Sequence, residues 1–353
     1  MKSIYVSGMA GSGKTAIALG LALKLRENGL AVGYFKPVGS TIRPGKTDDE
    51  DVLLFKQVLN LSYDTDILSP VRISKYYLSG GVRHDPAPLA QKIRDAYNQV
   101  AQGIDVLIID GKLSPFTASS LELDSIHLAT MFNSTIIYVI RIEDDYSLDK
   151  TIFYNRHFRH AGIGVLGNIF NNVERTILDK TKGVYAPILE EMGNPVLGII
   201  PQKPEIASPT VAEFYDALGG ELLAGEEHLA RLVEEVVVGS MTIESALGYL
   251  RRAPNKAVIT GGDRSDMALT ALETSTSVLI LTGGLYPDVG VLARAIEKKV
   301  PVIMVHYDTF TAIERLHIVA RRIHPGDKQG IEIAHANITN HCNWQAILDY
   351  VRN

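Results

Sequence analysis

Along roughly the first 200 residues, short apolar runs alternate with longer amphipathic stretches. The runs, rich in Val and Ile, are Ile4–Ser7, Val32–Phe35, Val106–Ile109, Ile136–Ile140, Val165–Ile169 and Val196–Ile200. Their length and β-branched content predict strands. Between them, Lys14–Glu27, Asp51–Leu59, Leu89–Ala101, Leu123–Met131, Leu148–Arg159 and Arg175–Glu191 carry helical periodicity. Strands and helices alternating at this spacing predict an α/β domain, a doubly wound, mostly parallel sheet covered on both faces. Pro201, Pro204 and Pro209 follow the sixth run, 210–218 reads as one more helix, and Gly219-Gly220 interrupts the pattern. A boundary there gives domains 1–218 and 219–353.

Beyond the boundary the alternation resumes on a smaller scale. Val233–Val238 reads as a strand or a helix end. Ala257–Thr260, Val278–Leu281 and Val302–Val305 read as strands. Ile243–Leu250, Met267–Thr274, Val289–Lys298, Thr311–Arg322 and Trp344–Val351 read as helices. This predicts a second, smaller α/β unit.

Composition narrows the class. Hydrophobic residues are 46% and charged residues 21% of 353, values of a globular chain. The net charge of −5 argues against a dedicated nucleic-acid binder. A single cysteine, Cys342, excludes an internal disulfide and a multi-Cys zinc site. No apolar run approaches the length of a membrane span, and Val6 leads into a Gly-rich loop instead of a secretory h-region. The expectation is a soluble, cytoplasmic protein without membrane or nucleic-acid partners.

The strongest chemical signal is Gly8-Met9-Ala10-Gly11-Ser12-Gly13-Lys14-Thr15, a full match to G-x-x-x-x-G-K-[ST] between a predicted strand and a predicted helix. Its backbone N–H groups and the helix N-terminus can cradle phosphate oxygens. Lys14 would reach the β and γ oxygens, and the Thr15 hydroxyl would ligate Mg²⁺. Gly8, Gly11, Ser12, Gly13, Lys14 and Thr15 are thus candidate nucleotide-binding residues. No lysine occurs at positions 9 to 12.

Asp110 ends an apolar strand and is a candidate Mg²⁺ ligand, the alternative being a turn cap before Gly111. Lys36 follows the second strand, where an open α/β sheet has its ligand crevice. It could neutralise a phosphate or a developing carboxylate, or be a solvated strand end. Asp48, Asp49, Glu50 and Asp51 are consecutive acids opening a helix. Either they serve the helix dipole or one joins Asp110 at the metal, with Asp51 the choice and Asp49 the competitor. In the second unit Gly261-Gly262 and Gly283-Gly284 follow strands, beside Asp263, Arg264, Asp266 and Asp288. They either offer N–H groups to an anion or form tight turns with capped helices. Asp308 reads as a cap. His84 beside Arg83 and His306 at a strand end are weaker candidates, and His324, His335 and His341 lack metal-ligand spacing.

The P-loop, Phe35-Lys36-Pro37-Val38, the acid at Asp51 and the strand-end Asp110 occur in the order found in dethiobiotin synthetase and the cobyrinic acid amidating enzymes, which residues 1–218 resemble. The resemblance implies a P-loop fold binding ATP and Mg²⁺, with Lys36 contacting substrate and phosphates and Asp51 and Asp110 on the metal. It also implies that Asn171 reads the adenine, and that the chain forms a homodimer. The chain has Asp110-Gly111-Lys112-Leu113-Ser114 where dethiobiotin synthetases carry a Glu-Gly-Ala-Gly-Gly-type run. Thr260-Gly261-Gly262-Asp263-Arg264-Ser265-Asp266 and Leu281-Thr282-Gly283-Gly284-Leu285-Tyr286-Pro287 resemble the DRTGG domain. The two domains in this order resemble the N-terminal region of long phosphate acetyltransferases, ahead of their catalytic domain, so no acetyl transfer is expected. Cys342 lies in no nucleophile elbow, which argues against glutamine hydrolysis.

Three functions compete. One is a Mg-ATP-binding protein, a slow ATPase, whose second domain takes a regulatory ligand or protein partner. Another is an ATP-dependent ligase with Lys14 and Lys36 as catalytic residues and a small carboxylic acid or amine as substrate. The last is an assembly module that binds nucleotide without turnover.

Overall fold

The computed structural model describes residues 1–40, 49–74, 77–78, 86–317, 319 and 322–353. The chain divides into two compact units, Met1–Gln202 with Ile323–Asn353, and Lys203–Arg322.

In the first unit the strands are β1 (Lys2–Gly8), β2 (Val32–Phe35), β3 (Val38–Ser40), β4 (Val71–Ile73), β5 (Val106–Asp110), β6 (Thr135–Ile140), β7 (Val165–Val173) and β8 (Val196–Pro201). Six of them form one parallel sheet in the order β2-β5-β1-β6-β7-β8, while β3 and β4 make a separate parallel pair. β5 is buried throughout and β1 is buried after Lys2, as expected of parallel strands with helices on both faces. The register fixes the chemistry: Val6 pairs with Asp110, and Phe35 with Ile109. The end of β1, Asp110 and Lys36 therefore emerge side by side at the carboxyl edge of the sheet, where such sheets bind ligands.

The first helix, α1 (Lys14–Glu27), buries Ile17, Leu21 and Leu25. Its other close neighbour is the helix Lys328–His341, which the hydrophobic pattern did not reveal. Gly20 makes this approach possible: a Cβ there would lie 2.3 Å from the Ala334 carbonyl oxygen and 2.7 Å from Ile338 Cγ1. Lys24 Nζ sits 4.5 Å from the Trp344 ring centroid, and Gly198 bridges to Cys342. The last 31 residues, 323–353, thus complete the first unit, whereas the hydrophobic pattern assigned them to the second. Arg175–Glu191, expected as one helix, is a continuous helical run from Leu178 to Glu191 that passes through a π turn at Thr181–Tyr185.

The second unit holds β9 (Glu221–Ala224), β10 (Glu235–Val238), β11 (Lys256–Gly261), β12 (Thr276–Thr282) and β13 (Val302–Met304). They form one sheet in the order β10-β11-β12-β13-β9, parallel except for β9. Alternate residues face two cores. Val258, Leu279 and Leu281 pack with Leu250, Met267 and Val291 from helices on one face. Ala257, Ile259, Val278 and Ile280 pack with Phe214, Leu218 and Leu316 on the other. The helix Val211–Leu218 opens with a capping box between Thr210 and Glu213. It buries its apolar side in this second core, so the structural boundary falls near 202, not after 218. Among the described residues no helix is long and apolar enough to cross a membrane.

Gly20→Ala ordinarily favours a helix by roughly 0.5–1 kcal/mol. Here the added methyl meets a backbone carbonyl, and we predict destabilisation by about 1–3 kcal/mol, read as a lower Tm. Burial pushes the Cys342 thiol up to about 12. Its reaction with a thiol reagent at pH 8 is predicted to be far slower in the native chain than in denaturant.

Candidate functional site

The loop between β1 and α1 is built on backbone that other residues would strain. Gly13 has φ +79°, and a Cβ there would lie 2.3 Å from Asn171 Nδ2. The same Asn171 amide donates to the Ser12 carbonyl at 2.8 Å, so it ties the end of β7 to the loop. The family resemblance implies a role for Asn171 at the adenine; its side-chain amide lies against the loop. Ser12 Oγ is buried without a hydrogen-bond partner. Lys14 is buried, and its Nζ donates to the carbonyls of Met9 (2.8 Å) and Leu113 (3.2 Å). Burial lowers its pKa to about 8, with Lys36 adding repulsion and Asp110 opposing the fall.

Four of the predicted residues converge beside the loop. Thr15 Oγ1 lies 3.2 Å from Asp110 Oδ2 and 3.5 Å from Asp51 Oδ2. Lys36 Nζ contacts Asp51, donates to Asp49 Oδ1 at 3.0 Å and stands 4.0 Å from Asp110 Oδ2. Burial works against the charge on Lys36, but Asp51, Asp110 and Asp49 together raise its pKa. The two acids of the helix α2 (Glu50–Leu59) entrance divide their work. Asp49 is its N-cap, accepting from the Asp51 N–H at 3.1 Å, whereas the Asp51 carboxylate reaches Thr15. Thr47, Asp48, Arg83 and His84 lie outside the described residues.

Asp110 is fully enclosed, and its Oδ1 has no hydrogen-bond partner among the described residues. Burial pushes its carboxyl up to about 6, against the pull of Lys36 and with Asp51 adding to the rise. The upward shifts of Lys36 and Asp110 point opposite ways for one ion pair. The cluster accounts for both: Lys36 faces three carboxylates, whereas Asp110 meets burial and the repulsion of Asp51 and Asp49 as well as the lysine.

Two further residues escaped the sequence reading. Tyr34 donates to Asp110 Oδ2 at 3.2 Å and stacks on Phe55, ring centroids 3.7 Å apart. It lies two positions before Lys36 and so shares its face of the chain, a period-two signal that was present. Lys112 contacts the Gly39 carbonyl, and burial lowers its pKa to about 8, with Lys36 repelling it. Nothing in the local pattern marks it.

The glycine pairs of the second unit act as turns. The N–H groups of Gly262, Gly283 and Gly284 donate to the carbonyls of Thr282, Tyr307 and Val305. Arg264 pairs with Asp266 at 3.2 Å, Ser265 donates to Asp288 at 2.6 Å, and Asp308 caps its helix through the Thr311 N–H. The anion reading thus loses three of its N–H donors. His306 is exposed, and His335 pairs with Glu27 and His324 with Glu50. Among the described residues no group of three or more His, Cys, Asp or Glu forms a metal cage.

An AAA domain model matches residues 2–210, and a DRTGG domain model matches residues 213–319. Phosphate acetyltransferase of Pseudomonas putida is 25% identical over 350 residues, 94% of this chain and 49% of that protein. The chain spans about half the length of the phosphate acetyltransferases it matches. The ATP-dependent dethiobiotin synthetase BioD of Methanocaldococcus jannaschii is 30% identical over 213 residues, 56% of this chain and 92% of that one. The septum site-determining protein MinD of Pyrococcus horikoshii, solved with Mg-ADP, is 19% identical with a TM-score of 0.36, over 58% of this chain and 83% of that one. The chain therefore joins a dethiobiotin synthetase-like P-loop domain to a DRTGG domain, and its relatives among phosphate acetyltransferases match it through their N-terminal regions.

Because the folded chain binds the Asp110 proton more tightly than the unfolded chain, this residue favours folding fully below about pH 4. That contribution is lost as pH rises through about 6. Asp110→Asn is predicted to stabilise the nucleotide-free protein at pH 7 by up to ~3 kcal/mol, and not at pH 4. Thermal unfolding at the two pH values measures both.

Proposed function

The chain belongs to the AAA domain family (AAA_26), and on that premise we propose that its first unit binds Mg-ATP against the loop Gly8–Thr15 and hydrolyses it slowly. The observation that carries this reading is the convergence of Thr15, Asp51 and Asp110 beside the loop, with Asp110 Oδ1 buried and lacking any partner. Such an atom fits a cation. Mg²⁺ is satisfied by one or two protein oxygens with waters and phosphate oxygens for the rest, which agrees with this donor set. Thr15, Asp51 and Asp110 would hold it; bound there, Mg²⁺ would offset charge on the β- and γ-phosphates.

The protein's own groups do the remainder. Backbone N–H groups of the loop and the α1 N-terminus bind the phosphates. Lys14 would exchange the carbonyls of Met9 and Leu113 for β/γ oxygens, and its proton is held more firmly once anionic phosphate is near. Asn171 keeps the loop in its binding shape through Ser12. Lys36 balances the carboxylates. In this reading the second unit is a regulatory domain whose ligand or protein partner governs the first.

The ligase reading draws on buried Lys36 and half-buried Lys112, two cations that could attract an acceptor carboxylate. The engagement of Lys36 by three acids favours the first reading.

Mg-ATP at 100 times its Kd should stabilise the wild-type protein by about 2.7 kcal/mol, visible as a raised Tm. Lys14→Ala should abolish that shift while folding normally without nucleotide. An equal shift in both proteins would refute the assignment of the site.

A further inference from the structure

Between Gly8 and Gly13 the phosphate loop carries only Met9, Ala10, Gly11 and Ser12, so it contributes no cation of its own ahead of Lys14. On its β5 side the nearby Lys36 is engaged by three carboxylates. On its β6 side stands Arg141. β6 pairs with β1 in parallel, Gly8 opposite Val139, and Arg141 is the first residue after β6. It therefore leaves the sheet at the same edge as the loop.

The guanidinium lies against the loop itself: a Cβ added to Gly11 would be 3.4 Å from Arg141 Nη1. Arg141 lines one cleft with Met9, whose carbonyl receives Lys14 Nζ, the group expected at the β/γ oxygens. Arg141 thus flanks the stretch of loop on which Lys14 Nζ is anchored. Its Nε donates to Glu143 Oε1 at 2.8 Å, and both side chains are about half exposed (46% and 61%). An exposed pair of this kind contributes little and is readily exchanged. The two residues border a cleft of about 210 Å³ with Met9, Ala10, Ser147 and Lys150, so the space beside the loop is open and carries a second cation.

We infer that Arg141 is a phosphate-contacting residue supplied by the same chain, which leaves Glu143 to bind the γ-phosphate when ATP enters the loop. A guanidinium offers planar, paired donors to phosphate oxygens, and a cation in this position offsets charge during phosphoryl transfer. The inference rests on the Mg-ATP reading.

The test is calorimetric titration of the full chain with Mg-ATP and with Mg-ADP, alongside steady-state phosphate release. Arg141→Ala should weaken ATP about tenfold and ADP less than twofold, as loss of one charge-assisted contact to the γ-phosphate requires. Arg141→Lys should recover part of the loss. Glu143→Gln should bind ATP at least as tightly as wild type. Matching Tm values without nucleotide would establish that Arg141→Ala is folded, as an exposed position predicts. Equal loss for ATP and ADP, or no loss for either, would overturn the inference while the Mg-ATP reading stands. Failure of the wild type to bind ATP would overturn both.

Discussion

A buried ammonium among three carboxylates sets the terms for the candidate site. Lys36 leaves β2 beside the end of β5, where Asp110 is already enclosed, and α2 brings Asp49 and Asp51 to it. Without the lysine, three acids would share one partly dry pocket, a costly arrangement. With it they gather around one ammonium, and two of them, Asp51 and Asp110, reach Thr15. The lysine, for its part, is engaged by all three.

The parallel register is what makes this cluster possible. Pairing Val6 with Asp110 and Phe35 with Ile109 brings residues distant in sequence to one edge within hydrogen-bond reach. The strands that do this are nearly continuous apolar runs, so the same residues that form the core of the first unit also fix the position of the chemistry. Gly13 and Asn171 add a steric lock: the residue that braces the loop would clash with any side chain in place of the glycine.

Much of this was legible in the sequence because it is local. The β/α alternation, the P-loop with its flanking strand and helix, and acids or lysines at strand ends are all written within short windows. The parts that were missed are non-local. Residues 323–353 return to the first unit through a glycine in the middle of α1, and nothing near Gly20 in sequence announces its partner, Ala334. The helix Val211–Leu218 was assigned by proximity to the strands before it, but its apolar face belongs to the sheet that follows. The antiparallel edge strand β9 is too short and exposed to stand out. In the site, Asp51 and Asp110 are legible as partners at one metal and Lys36 as a strand-end lysine, while the compensation of the acids by the lysine emerges only from distances. The bond from Asn171 to the Ser12 carbonyl joins residues 159 positions apart, so no local window shows it.

Calorimetric titration of the full chain with ATP, in Mg²⁺ and then in a chelator, tests the central claim most directly. The account predicts saturable binding at one site per chain with Mg²⁺ and markedly weaker binding without it, since Asp51 and Asp110 would then repel the phosphates. Absence of binding in both conditions, or binding that ignores Mg²⁺, would contradict it.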